Sequence, residues 1–235
     1  MFFCGEIFSE NSMSKHFNSC EKLKVYIENK KNDDSMVFGK IFRILIQDSY
    51  WVEYWIYIDV SADLKLEKLD HFLRKIWVEC CGHLSDFIID DIHFESFLDE
   101  ETLKYYKFYG KAVPENMNIK ISEVIRDRLT FEYRYDFGWT TSLKLKVKLV
   151  YDGFIDKNKV TLLARNILPQ ILCDKCGKPA TKVCTYCSEK DGKGFCLCDD
   201  CAPKHKCGEE YQLPVVNSPR VGICRYTGEL DTYKF

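Results

Sequence analysis

The chain has no run approaching the ~20 apolar residues that a membrane-spanning helix requires. Its greasiest stretch, Trp51 to Val60, is broken by Glu53 and Asp59. An export signal is not evident either: Met1 to Glu10 carries Glu6 and Glu10 and no long apolar core. A cytoplasmic, soluble protein is expected. An excess of charge is also missing, since 34 basic and 36 acidic residues leave a formal net charge of −2. That balance argues against a surface generally adapted to nucleic acid. No internal repeat or low-complexity segment is present, and no Ser-His-Asp or Cys-His arrangement can be read from the chain. Asp136-Phe137-Gly138 spells a kinase motif, but no Gly-rich phosphate loop or His-Arg-Asp catalytic loop precedes it. A strand ending in a glycine turn accounts for it better.

What the chain does have is cysteine. Between Cys173 and Cys207, 35 residues hold eight of its 13 cysteines and one of its five histidines. Cys173-x2-Cys176, Cys184-x2-Cys187 and Cys198-x2-Cys201 are followed by His205-x-Cys207. A tight turn across each pair places two thiolates on one tetrahedral zinc ion, so eight donors suffice for two closed sites. A disulfide framework is the competing account. Without an export signal the thiols are expected to stay reduced, and reduced Cys-x2-Cys pairs read as metal ligands. In a cross-braced arrangement Cys173, Cys176, Cys198 and Cys201 hold one ion, while Cys184, Cys187, His205 and Cys207 hold the other. Cys196 and Cys224 are left over; either could replace Cys198 or be an ordinary buried thiol. In spacing the region resembles B-box and MYND-type fingers over about 35 residues, which implies a zinc topology and no particular function. Seven lysines balance seven acidic residues from Cys173 to Tyr211, unlike a basic finger that grips phosphate.

The N-terminus repeats the theme more faintly. Phe3-Cys4-Gly5-Glu6-Ile7-Phe8 and His16-x3-Cys20 look like most of a small ββα finger, with Phe8 and Met13 as its miniature core. The i, i+4 spacing puts His16 and Cys20 on one helix face. The fourth ligand would fall at Met1, so Cys4, His16 and Cys20 are one donor short. An unstructured arm is the equal alternative.

With 46% hydrophobic and 14% aromatic residues, 235 residues supply one good core plus small satellites. Lys40 to Ile46 reads as a buried strand, and Val52, Tyr54, Ile56, Ile58 and Val60 alternate with period two. Leu66, Leu69, Phe72, Leu73, Ile76 and Trp77 form a helical stripe. Strands are expected again at His83 to Ile89, Ile92 to Leu98, Thr130 to Phe137 and Leu143 to Tyr151, with a short helix around Ile119 to Arg128. The expected fold is α+β: a mainly antiparallel sheet packing one face on helices. Its expected organisation is a degenerate finger at 1–22, a linker at 23–36, a core domain at 37–166 and a zinc-binding tail at 167–235.

Trp55-Ile56-Tyr57-Ile58-Asp59-Val60, the following Ser61 to Leu69, His83-Leu84-Ser85-Asp86-Phe87 and Phe131 to Gly138 carry a resemblance. Over about Val37 to Tyr151 the chain resembles the Ri-plasmid open-reading-frame-three-like family, domains carried by plasmids and transposable elements. Tyr135-Asp136-Phe137-Gly138 is its most specific piece. The resemblance implies an α+β fold and a mobile-element context, with no reaction. Where the family has paired arginines this chain has Ile56 and Tyr57, and where it has Leu-His this chain has Leu69-Asp70. His-Leu-His becomes His83-Leu84-Ser85, and Trp139-Thr140-Thr141-Ser142 stands where the family has an acid, a tryptophan and a histidine. The apolar skeleton persists while those polar groups do not.

Three further groupings are weighed for chemistry. Asp91, His93 and Glu95 alternate along one strand, but same-face neighbours on a strand seldom converge on one ion, and a solvated face accounts for them. His83 with Asp86 reads as a structural pair. Cys80-Cys81 is adjacent, a poor ligand geometry, and suits the end of a helix before Gly82. Lys144, Lys146 and Lys148 share one strand face and, with Lys157, Lys159 and Arg165, form the best basic patch; protection of an exposed sheet edge is the plainer explanation. Trp51, Tyr54, Trp55 and Tyr57 could stack on bases, though strand packing explains them as well. The expected function is a non-catalytic zinc-binding interaction module with two structural ions, and a third if the N-terminal finger is metallated. A protein partner is favoured over nucleic acid, with no small-molecule substrate. The alternative is a nucleic-acid-binding accessory protein of a plasmid, transposon or virus, with Lys144, Lys146 and Lys148 in contact with phosphate.

Overall fold

The computed structural model describes residues 3–110, 112–187 and 195–232. It resolves into two compact units, one made of Met1–Phe72, Leu84–Phe137 and Ser142–Asn166, the other of Leu73–His83, Gly138–Thr141 and Ile167–Phe235.

The first unit is built on an eight-stranded sheet. Its strands are β1 (Val37–Asp48), β2 (Trp55–Ser61), β3 (Ser85–Ile89), β4 (Ile92–Glu95), β5 (Glu115–Asn116), β6 (Thr130–Tyr135), β7 (Thr141–Ile155) and β8 (Thr161–Arg165). They lie in the order β5-β4-β3-β6-β7-β1-β2-β8. The β1–β2, β1–β7, β2–β8, β3–β4 and β3–β6 pairs are antiparallel, and the two-residue β4–β5 ladder is parallel. Helices α1 (Glu10–Ser19), α2 (Glu21–Asn29), α3 (Leu66–Leu73), α4 (Glu100–Phe108) and the single turn α5 (Ile121–Val124) lie in the same stretch of chain.

The alternation read at Val52 to Val60 predicts one buried and one open face, yet every residue of β2 is buried. The reason lies at the N-terminus. Met13 and Phe17 of α1, Cys20 at the joint and Leu23 of α2 pack on Leu45, Trp55, Tyr57, Leu163 and Ala164, all in one apolar cluster. Trp55 and Tyr57 are therefore core residues and do not offer themselves as stacking platforms. On α3, Asp70 accepts hydrogen bonds from Tyr133 (2.9 Å) and Ser85 (2.6 Å), which fixes the helix over β3 and β6.

This packing corrects two expectations. No strand occurs among described residues 3–9, so the ββα finger is replaced by helix α1, capped at Ser9. Residues 23–36 are not a linker, because α2 occupies Glu21–Asn29 and buries Leu23. The proposed finger's missing ligand position, Met1, lies outside the described residues. Two stretches are shorter than periodicity suggests: the fourth strand ends at Glu95 and the second central helix is one turn.

In the second unit, chain residues Arg74–Val78 form a π-helical turn directly after α3. A small sheet, β10 (Phe195–Leu197), β9 (Lys182–Cys184) and β11 (Gln212–Pro214), carries the cysteine-rich tail. Leu73–His83 thus belongs with the tail although its helical stripe reads as core. No helix among the described residues is long and apolar enough to cross a membrane.

Candidate metal centres

None of the 13 cysteines is in a disulfide. Local turns carry the first tail pairs. Cys173 is followed by Gly177 at φ +72°, whose amide returns to the Cys173 carbonyl at 2.9 Å. That left-handed conformation suits glycine and closes the turn. The second half comes from β10, where Cys198 leads into Cys201 and a 3-10 turn over Ala202–Lys204. Cys173, Cys176, Cys198 and Cys201 bring their sulfurs within 4.8 Å of one another. The Cys176 sulfur lies 3.5 Å from that of Cys198 and 3.7 Å from that of Cys201. Two thiolates on one tetrahedral zinc at about 2.3 Å stand about 3.8 Å apart, so the spacing fits such an ion.

Protonation points the same way. Burial works against the Cys173 thiolate, but backbone hydrogen bonds from Cys198, Lys175 and Cys176 pull its thiol down to about 6. Cys201 is pushed up to about 12, chiefly by sharing protons with Cys176 and Cys198. Four thiols this close cannot all ionise alone, and a bound cation would supply the missing charge. Around them Leu197, Ala202 and Phe195 form a small apolar cluster. Lys178–Asp200 at 2.7 Å and Thr181–Asp199 at 2.7 Å tie the outer loops.

Cys184, Cys187, His205 and Cys207 form a second group within the same 4.8 Å limit. Cys187 lies 3.4 Å from Nε2 of His205 and 3.7 Å from the Cys207 sulfur. Phe195 stacks on the His205 ring at 5.1 Å and so restricts its orientation. The two groups interleave along the chain. Cys196 belongs to neither; burial and the nearby Asp174 carboxylate push its thiol up to about 11.

In the first unit, Cys4, His16 and Cys20 also converge, with Cys4 3.4 Å from His16 Nε2. His16 stacks on Phe8 at 4.2 Å, and Cys20 is buried in the joint between α1 and α2. Three donors leave a fourth position to solvent or another group.

A fourth group escapes the sequence reading: Cys80, Cys81, His83 and Cys224, again within 4.8 Å. Cys81 and Cys224 place their sulfurs 3.5 Å apart across 143 positions of sequence, and Cys224 lies 3.6 Å from His83 Nε2. Cys224 therefore does not replace Cys198. The one available signal was the donor-dense Cys80-Cys81-x-His83 run, which lacks its completing partner locally.

The other groupings do not converge on an ion. Asp91 sits in the β3–β4 turn at φ +64°. His93 Nδ1 meets the Asp86 carboxylate at 2.8 Å, and Glu95 accepts the Tyr106 hydroxyl at 2.6 Å. Asp86 takes Arg134 in a two-pronged pair, at 3.0 and 2.5 Å, so its partners are Arg134 and His93 where His83 was expected. Lys144, Lys146 and Lys148 are exposed, but on β7, an interior strand between β6 and β1; edge protection does not explain them.

Neither a protein-family model nor a curated protein matches the sequence. Among solved structures, the chain is similar to a protein of unknown function from Methanosarcina mazei Go1. That likeness has 13% identity and a TM-score of 0.43, and it covers 60% of this chain and 76% of that one.

Proposed function

We propose that the protein is a non-catalytic, zinc-stapled module that recognises another macromolecule, with a protein as the favoured partner. The observation that carries this reading is the pair of four-donor groups in the tail, Cys173/Cys176/Cys198/Cys201 and Cys184/Cys187/His205/Cys207. Thiolate-rich tetrahedral donor sets select zinc among common divalent ions. Four protein ligands leave no position for water or substrate, so such ions organise structure and do no chemistry. The balanced charge of the tail supports a protein partner over phosphate. The resemblance of the central region to the plasmid- and transposon-borne family sets this module in a mobile-element context in the cytoplasm.

A second reading has one specific observation in its favour. Lys144, Lys146 and Lys148 stand exposed on an interior strand, where edge protection gives no account of them. They could contact phosphate, making the protein a nucleic-acid-binding accessory factor. Binding to labelled single- and double-stranded DNA and RNA across a salt series separates the two. On the leading reading no binding appears even at low salt. A log–log slope equivalent to several released counterions, abolished by reversing the charge of the three lysines together, would install the second reading instead.

A further inference from the structure

We propose that Cys80, Cys81, His83 and Cys224 form an additional structural zinc site, which fastens the 218–226 loop to the segment that follows the π-helical turn. It uses none of the tail's eight donors.

Adjacent cysteines on an extended chain point apart, and this is why Cys80-Cys81 looks like a poor ligand pair. Here the chain is not extended. Gly82 takes φ +72°, which reverses the backbone and brings His83 back toward the two sulfurs. The reversal is braced from outside. Glu79 accepts the Gly82 amide at 2.6 Å, Arg74 pairs with Glu79 at 2.7 Å, and Arg74 also donates to the His83 carbonyl at 2.8 Å. Three donors are thereby held in place by groups that do not themselves reach the ion.

The fourth donor is positioned with equal care. Ser218 donates to the Trp77 carbonyl at 2.6 Å while accepting the Arg220 amide at 2.9 Å, and Tyr226 donates to the Ile76 carbonyl at 3.4 Å. Cys224, between these anchors, adopts φ +55°. A non-glycine side chain in the left-handed region is uncommon, and such strain persists where the surroundings impose it for a purpose. The result is a sulfur 3.5 Å from Cys81 and 3.6 Å from His83 Nε2. A disulfide needs about 2.05 Å between sulfurs, whereas two ligands of one zinc stand about 3.8 Å apart.

Charge completes the case. Arg220 is fully buried, donates to the Trp139 carbonyl and the Thr141 hydroxyl at 3.0 Å each, and reaches the Cys80 sulfur at 3.4 Å. Zinc with three thiolates and a neutral histidine carries a net charge of −1, which the guanidinium beside it offsets. An outer partner that hydrogen-bonds a ligand sulfur is also what metal sites ordinarily have.

The test counts zinc in the full-length protein, purified under reducing conditions without chelator. The double variant Cys81→Ser/Cys224→Ser is expected to hold one equivalent fewer than the wild type. Cys176→Ser, read in parallel, reports the tail's own loss. An unchanged count in the double variant overturns the proposal. Should that variant fail to fold, the wild type decides alone: Cys80, Cys81 and Cys224 are expected to resist iodoacetamide together until a zinc chelator is added. Prompt alkylation of all three in zinc-loaded protein, or a Cys81–Cys224 disulfide in the native peptide map, overturns it equally.

Discussion

Arg43 carries its charge into the sheet on β1, where its side chain is 9% exposed and that of Asp59 on β2 is 4% exposed. The guanidinium meets both carboxylate oxygens at 2.9 Å, and the Tyr151 hydroxyl donates to Asp59 at 2.7 Å. Phe17 of α1 lies against the guanidinium, 4.8 Å from ring centre to Cζ. Burial, then the Asp59 charge, push the Tyr151 phenol far above its ordinary range, so it stays protonated as a donor. Removing one member of such a pair strands the other without its partner. Asp59→Ala is expected to cost about 3–5 kcal/mol in chemical denaturation. Replacing both ions, as Arg43→Met/Asp59→Leu, should cost much less, since apolar groups of similar volume often serve as well. Equal losses in the two variants would show that the pair's charges are not what the site depends on.

At the scale of elements, the N-terminal helices show where sequence reasoning reaches and where it stops. His16 does fall on a helix, while Cys20 stands just past its end in extended backbone; Cys4 still approaches both, because those relations are local. The strands of a finger do not form. Met13, Phe17, Cys20 and Leu23 continue one apolar stripe through two helices, and the sheet offers Trp55 and Tyr57 to receive it. A stripe that long can be read only when its landing surface is known, so the polar residues after Glu28 look like a linker. The same limit hides the interior position of β7, since strand order is set by pairings between distant residues. Apolar packing holds α1 and α2 in place whether or not Cys4, His16 and Cys20 carry metal. Phe17→Ala should therefore destabilise the first unit by about 3–5 kcal/mol. Zinc chelation should leave amide protection in α1 and α2 unchanged. Loss of that protection on chelation would restore a metal-dependent finger.

For the whole molecule, the contrast lies in what each unit is made of. The first buries a long roster of aliphatic and aromatic side chains on its sheet, while among the described residues the tail from Cys173 to Cys207 buries little beyond Cys173, Val183, Cys184, Leu197, Cys198 and Ala202. Spacing made the tail legible because each Cys-x2-Cys turn is a local device. Cys80 and Cys224 were illegible as partners because only the folded second unit brings them together. A lobe with so few apolar residues cannot offset its own chain entropy, and metal binding must become folding energy. Substituting Cys184 or Cys201 by Ser should forfeit much of the ~10–16 kcal/mol that a structural zinc contributes. The expected outcome is loss of zinc and of amide protection across β9, β10 and β11, while the strands β1 to β8 keep theirs. Hydrogen exchange read alongside zinc content measures both at once. Full zinc with native protection in the tail of either variant would mean that the donors are assigned to the wrong groups. Collapse of protection in β1 to β8 as well would mean that the two units fold as one cooperative body.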